Sequence, residues 1–470
     1  MRTVLRVLVL LTLPLLATGG DDPMGAWGTL SPDEQKEALS FAEEYKRFIN
    51  VSRTELTTVR EVLAFARAHG YKDLFATDKA SPGDRLFALN RDRAIALIRV
   101  GRKGSREGLR IVGAHIDSPR IDLKARPIYS SGGYALFQTI YHGGIKKYQW
   151  SSLPLMLLGR VDRKDGTTVY VEVGMDPTDP VFVIPDLAPH VDRDYRSRTA
   201  REVIKGEELD PIVGSLPGTD GVEKAILAIL AEKYGIERDD FVSGELSLVP
   251  ALPPRDVGLD RALVGAYGQD DRLSSFCAYR ALEAAGPPER SAIAFLVDNE
   301  ETGSINNTGA TSSFLKDAIA RLIEIEAGEF GENVLRNALK QTQVISADVT
   351  TGINPLFAGV QESTNAAKVG HGVVIKRYGR GQDAHSEFIA VIRGILDKEG
   401  IAWQTHTYKV DVGGGGTIAR FLSKENMDVI DMGVAILSMH STFSLSSKAD
   451  LFLLYRFLTA FYEGEGVGGR

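Results

Sequence analysis

The stretch Leu109-Arg110-Ile111-Val112-Gly113-Ala114-His115-Ile116-Asp117 decides the fold. It begins as a short apolar strand and ends in residues of metal-ligand type. The same design recurs further along the chain. Ala292-Ile293-Ala294-Phe295-Leu296-Val297 runs into Asp298-Asn299-Glu300-Glu301, and Gln343-Val344-Ile345-Ser346-Ala347 into Asp348. Gly433-Val434-Ala435-Ile436-Leu437 leads to Met439-His440. Short apolar runs of this kind read as strands buried on both faces. In open α/β sheets ligands bind at the carboxyl ends of the strands. Four strands are therefore expected to deliver His115, Glu300 with Glu301, Asp348 and His440 to one edge. Gly268-Gln269-Asp270-Asp271, just ahead of the apolar helical stretch Leu273 to Leu282, adds two carboxylates.

Outward from these strands the texture changes in blocks. Residues 31 to 70 read as helices: Ser31-Pro32-Asp33-Glu34 is a helix start, and Thr54 opens a second helix that ends at Gly70. Residues 86 to 118 read as strands. Residues 126 to 250 hold β-type runs such as Thr168 to Val173 and Val181 to Ile184, separated by Gly, Pro and Asp turns, with one helix from about Gly221 to Tyr234. Residues 255 to 460 alternate apolar strands with helices. The expected fold is α/β, a mixed sheet flanked by helices with an inserted smaller β-rich domain. The expected boundaries are 24–125 plus 251–470 for the catalytic domain and 126–250 for the insertion.

Composition narrows the chemistry. The chain has 470 residues, a net charge of -7 and one cysteine, Cys277. An acidic balance argues against a nucleic-acid partner. A single cysteine excludes an internal disulfide and a thiolate zinc site, so Cys277 reads as a small buried hydrophobe and any metal must be held by His, Asp and Glu. At the N-terminus, Arg2 and Arg6 precede an apolar run from Val7 to Ala17, and Ala17-Thr18-Gly19 offers small residues for cleavage. This is the layout of a secretory signal peptide within residues 1–23, too short to span a membrane. It implies export to the periplasm or beyond; a true start at Met24 would instead leave the protein in the cytoplasm.

A lone histidine after a strand is weak evidence, and a Glu-Glu pair is usually solvated. Their convergence carries more weight. Gathering four or five carboxylates at one buried edge is very costly without cations to neutralise them. Two divalent ions would do so, and imidazole with carboxylate suits zinc, cobalt or manganese. Gly413 to Gly416 reads equally as a close-approach loop or a flexible turn.

Five segments, in order, resemble the blocks of the aminopeptidase I/aspartyl aminopeptidase family: Gly113 to Pro119, Gly268 to Arg272, Asp298 to Ser304, Ser346 to Asp348 and Met439 to Ser441. Tyr141-His142-Gly143-Gly144, Ile184 to His190 and Lys409 to Val412 with its glycine run are similar too. Thr302 stands where an aliphatic residue is usual, and Thr350-Thr351-Gly352 also departs from the pattern. The resemblance implies a zinc-exopeptidase type of fold and removal of single residues from peptide N-termini. It implies that Asp270 bridges two metals, that His115 and Asp348 complete one site, and that Glu301 and His440 complete the other. Glu300 would be the general base, and Asp117 would orient His115. It further implies a homo-oligomer built from dimers, a dodecamer in this family, in which His190 of the inserted domain enters a partner's site. Rival readings are a two-metal carboxypeptidase or amide deacylase and a non-catalytic scaffold; the absence of a His-Glu-x-x-His run disfavours thermolysin-like chemistry. Lys376 could reach an acidic N-terminal side chain of a substrate, but reads first as a solvated lysine at a strand end.

Overall fold

The computed structural model describes residues 25–328, 330–379 and 383–464, so the expectation for residues 1–23 lies outside the described residues. The first long helix, Pro32–Val51, is opened by a reciprocal cap in which Ser31 and Glu34 satisfy each other's backbone N–H. Thr54 caps the next helix, Glu55–Ala68, through the Thr57 N–H.

A nine-stranded sheet forms the centre. Its order is Lys72–Asp73, Arg85–Asn90, Ala94–Arg99, Ala292–Val297, Arg110–His115, Gln343–Ala347, Asp428–Gly433, Val373–Lys376 and Trp403–His406. The four strands from Ala292–Val297 to Asp428–Gly433 are mutually parallel. Their side chains alternate between two cores. Val112, Ala114, Ala294 and Leu296 pack on one face, Ile111, Ile293, Phe295 and Val344 on the other. The first face is covered by Pro32–Val51, Gln269–Ala284 and Lys448–Glu463, and the second by Phe314–Ala327 and Glu332–Lys340. Helices on both faces explain why these strands are apolar throughout rather than alternating. The expected α/β architecture is the observed one.

One strand differs from expectation. The run Gly433 to Leu437 does not end in the central sheet. The sheet strand stops at Gly433, and Ala435–Leu437 joins a separate five-stranded sheet with Arg255–Val257, Leu263–Ala266, Ser444–Ser447 and Thr350–Thr351. The reason lies in a shared ladder. Asp348 N–H bonds Met432 O at 2.8 Å, Thr350 N–H bonds Val434 O at 2.9 Å, and Gly352 N–H bonds Ile436 O at 2.8 Å. Two neighbouring strands thus leave the large sheet together, and Gly433 permits it because a Cβ there would lie 2.0 Å from Asp348 O. His440 therefore comes from the turn that follows Ala435–Leu437 in this second sheet, before Ser444–Ser447, rather than from the edge of the central sheet.

The middle of the chain builds a six-stranded sheet in the order Thr168–Val173, Leu155–Asp162, Gly244–Pro250, Arg120–Ser131, Tyr134–His142 and Ile212–Gly214, with the helix Val222–Tyr234 beside it. It has its own core around Phe137, Trp150, Leu157 and Leu248. The strand Arg120–Ser131 spans residue 126, with a register shift against Tyr134–His142 between Leu123 and Ile128. Val181 to Ile184 forms only isolated bridges, from Phe182 to Leu155 and from Val183 to Ile212.

Candidate metal centre

His115 is the last residue of its strand, and its side chain is buried. Nε2 lies 3.1 Å from Asp270 Oδ1; Nδ1 lies 3.1 Å from the Asp117 carbonyl and 3.3 Å from Asp117 Oδ1. Asp270 lies in the opening turn of Gln269–Ala284, where its own backbone is not helical. That turn requires Gly268, whose φ is +75° and whose added Cβ would meet Arg272 Nη2 at 1.4 Å. Gln269 pins the turn by donating to Ser444 O at 2.7 Å and accepting from the Tyr45 hydroxyl at 3.3 Å.

On the opposite side of Asp270, His440 Nε2 lies 3.2 Å from Asp270 Oδ2 and 3.3 Å from Glu301 Oε1. Its Nδ1 donates to Gly144 O at 3.0 Å. The result is two groups whose ligand atoms each lie within 4.8 Å of one another: His115, Asp270 and Asp348, and Asp270, Glu301 and His440. Asp270 belongs to both. Asp117, fully buried, accepts hydrogen bonds from the Glu300 N–H at 3.0 Å, the Glu301 N–H at 3.2 Å and His142 Nε2 at 3.0 Å. It thereby fixes the turn that carries both glutamates.

These residues fit divalent cations. Both imidazoles use Nδ1 as a donor, to Asp117 and to Gly144, which leaves the Nε2 lone pairs facing carboxylate oxygens. A lone pair facing an anion calls for a positive charge between them. Glu301 Oε1 is buried with no hydrogen-bond partner among the described residues. Without metal, protons take that role. Burial pushes Asp348 up to about 8 and, with the Asp270 charge, raises Glu301 well above the carboxylate range. Burial alone would lower His440, but Asp270 and Glu301 raise it to about 10. Asp270 goes the other way: burial would raise it, and hydrogen bonds from both histidines hold it below its ordinary range. Glu300 is raised by burial and stands beside the cluster without belonging to either group.

His440 keeps 34% of its side chain exposed, which makes its side the open face of the centre. A cavity of about 450 Å³ adjoins it, lined among others by Ile145, Tyr148, Phe357 and Met439.

Several placements differ from the sequence reading. Lys376 is not a solvated lysine. Only 10% of its side chain is exposed, and Nζ lies 3.8 Å from Asp348 Oδ1 and 3.4 Å from Asp431 Oδ1. Its neighbour strand and Asp431 cover it, which the local sequence does not reveal. His190 lies exposed in a turn closed by the Val191 N–H to the Ala188 carbonyl, outside both ligand groups of its own chain. His142 and Asp431 were not singled out from the sequence. His142 had a visible signal, a histidine closing a strand within the Tyr141 to Gly144 segment.

Comparison with known proteins shows the family of the chain. The family described as aminopeptidase I zinc metalloprotease (M18) matches residues 48–462. A Thermotoga maritima protein named "Probable M18 family aminopeptidase 1" is 44% identical over 435 residues, covering 90% of this chain and 95% of its own. The crystal structure of an M18-family aminopeptidase from Thermotoga maritima superposes with a TM-score of 0.90 at 42% identity, covering 93% of this chain and 98% of that one. The yeast mApe1 dodecamer shares the fold, with a TM-score of 0.75 at 21% identity over 90% of this chain and 96% of that one. With the family matched along most of its length and its ligand-type residues gathered at one strand edge, the chain belongs to the aminopeptidase I zinc metalloprotease family and is a metallo-aminopeptidase.

Proposed function

We propose that the enzyme removes single N-terminal residues from peptides with two divalent ions, zinc foremost and cobalt or manganese as alternatives. His115, Asp270 and Asp348 would hold one, and Asp270, Glu301 and His440 the other. The observation that carries this reading is Asp270, which turns Oδ1 to one histidine and Oδ2 to the other. When bound, such ions supply Lewis acidity and acidify water to a pKa of about 7. Glu300 then takes a proton from the attacking water on its carboxylate and passes it to the leaving amine; its burial-raised pKa suits both halves of that transfer. Asp117 holds the Glu300 amide and the His115 ring in place while this happens.

A carboxypeptidase would need a free cation to clamp its substrate's carboxylate. Lys376, the lysine beside Asp348, already faces Asp348 and Asp431. The same pairing keeps Lys376 from an acidic N-terminal side chain. The cavity beside His440, lined by Ile145, Tyr148, Phe357 and Met439 with Lys146 as its one lysine or arginine among the described residues, accords with a neutral residue. A chromogenic panel tests both points. Free-amine substrates with neutral side chains should be cleaved, and their N-acetylated counterparts and aspartyl or glutamyl substrates should not. Cleavage of blocked substrates would favour the deacylase reading.

The insertion, residues 126–250, is proposed as the assembly domain of a dimer-based oligomer, as large as a dodecamer. Support comes from the apolar side chains it leaves exposed, among them Ile140, Tyr141, Tyr170, Leu187 and Val191. On this reading the exposed His190 enters a partner's site and hydrogen-bonds the substrate carbonyl as it gains charge. Mixed oligomers of His190→Ala and Glu300→Ala chains should regain activity that neither variant has alone. No recovery despite verified subunit exchange would contradict sharing between chains.

A further inference from the structure

The segment His142-Gly143-Gly144 touches both halves of the centre from a different sheet. His142 is the last residue of the strand Tyr134–His142 in the inserted domain. Its Nε2 donates to Asp117 Oδ2 at 3.0 Å. Gly143, with φ +72°, passes so close to the catalytic turn that a Cβ would lie 3.1 Å from Glu301 Cβ and 3.3 Å from Pro119 Cγ. The carbonyl of Gly144 accepts from His440 Nδ1 at 3.0 Å and so sets which nitrogen of that ring faces Asp270.

We infer that this segment is a brace for the catalytic centre and that His142 is a positioning residue for Glu300, acting through Asp117. The other donors to Asp117 are the Glu300 and Glu301 amides and the His115 ring, all belonging to the groups it positions. Such contacts tie the carboxylate to the central sheet alone, because His115 closes one of its strands and the two glutamates follow the strand beside it. His142 ties the same carboxylate to the inserted domain's sheet, so the turn is held from a second, independent side. The site must be held within a few tenths of an ångström to work, and hydrogen-bonded partners outside the ligand set supply that precision. The brace also places the proposed assembly domain in mechanical contact with the chemistry of its own chain.

This inference rests on the assignment of Glu300 as the base. It is tested with full-length, metal-loaded His142→Ala and His142→Gln, with Glu300→Gln in parallel. His142→Ala should lower kcat by about tenfold or more at unchanged KM and metal content. It should also speed hydrogen exchange at the Glu300 and Glu301 amides, which lose the fixed position of their acceptor. His142→Gln keeps an N–H donor of similar reach and should recover most of both. Wild-type kcat and exchange in His142→Ala would overturn the brace. So would an equal loss in both variants that tracks a fall in melting temperature or metal content. Normal turnover by Glu300→Gln would refute the base and leave the exchange result to judge the brace alone.

Discussion

Two ionic clusters in this protein both gather carboxylates with cationic side chains and differ in their balance of charge. Around Asp256, each carboxylate oxygen meets a cation: Lys46 and Lys448 lie 2.6 and 2.8 Å from Oδ1, and Arg261 lies 2.7 Å from Oδ2. Glu43 adds a second anion, 2.8 Å from Lys46. Burial would raise Asp256, but these partners hold it well below the usual carboxylate range. At the metal centre the carboxylates outnumber their cations. Glu301 Oε1 and both oxygens of the neighbouring Asp271 have no hydrogen-bond partner among the described residues, and burial drives Asp271, Asp348 and Glu301 upward. The Asp256 cluster is neutralised by the protein itself and needs nothing more. The metal centre is short of positive charge, and that deficit is the mark of a site that takes cations from outside.

Substitution in each cluster should separate the two kinds. Glu300→Gln should retain its metal while kcat falls by about 10²- to 10⁴-fold. Elemental analysis with steady-state kinetics checks this, and normal turnover would remove Glu300 from the mechanism. Asp256→Ala should do the reverse. It leaves Lys448, 2% exposed, buried without its main anion. The loss expected for one partner of a buried pair is about 3–5 kcal/mol by urea unfolding, with kcat per folded chain unchanged. A falling kcat at full stability would blur the distinction between the clusters.

A third buried group sharpens it further. His406 is paired in register with Lys376 and is 1% exposed. Burial, aided by the Lys376 charge, lowers its pKa to about 4 from 6.5. Its Nδ1 accepts the Ala367 N–H at 3.2 Å, so the neutral ring is the native one. With the folded pKa depressed, only the unfolded chain gains a proton at first. The stability from His406 is complete above about pH 6.5 and is lost as pH falls towards about 4. The full span is worth about 3 kcal/mol. His406→Gln should remove that slope between pH 6.5 and 4, and an unchanged slope would show that the ring protonates in the fold.

The sequence made the parallel strands legible because helices cover both faces, which leaves uninterrupted apolar runs such as Ala292 to Val297. It made the candidate ligands legible because His115, Asp348 and the Glu300–Glu301 pair follow such runs directly. His440 follows an apolar strand as read, but that strand belongs to a second sheet. The chain bends out of the central sheet at Gly433, where a backbone contact with Asp348, remote in sequence, controls the path. Burial of Lys376 likewise depends on Asp348 and Asp431, which no local pattern reveals; His142 closes a legible strand, but nothing local marks Asp117, 25 residues earlier, as its partner.

The most direct test of the charge-deficit argument is metal stoichiometry measured with activity on one preparation. Exhaustive chelation should remove both ions and abolish hydrolysis of a free-amine substrate. Zinc titrated back should bind to two per chain and restore turnover as it does so. Full activity in protein shown by elemental analysis to be free of metal, or saturation at one ion per chain, would contradict a centre in which Asp270 serves two cations.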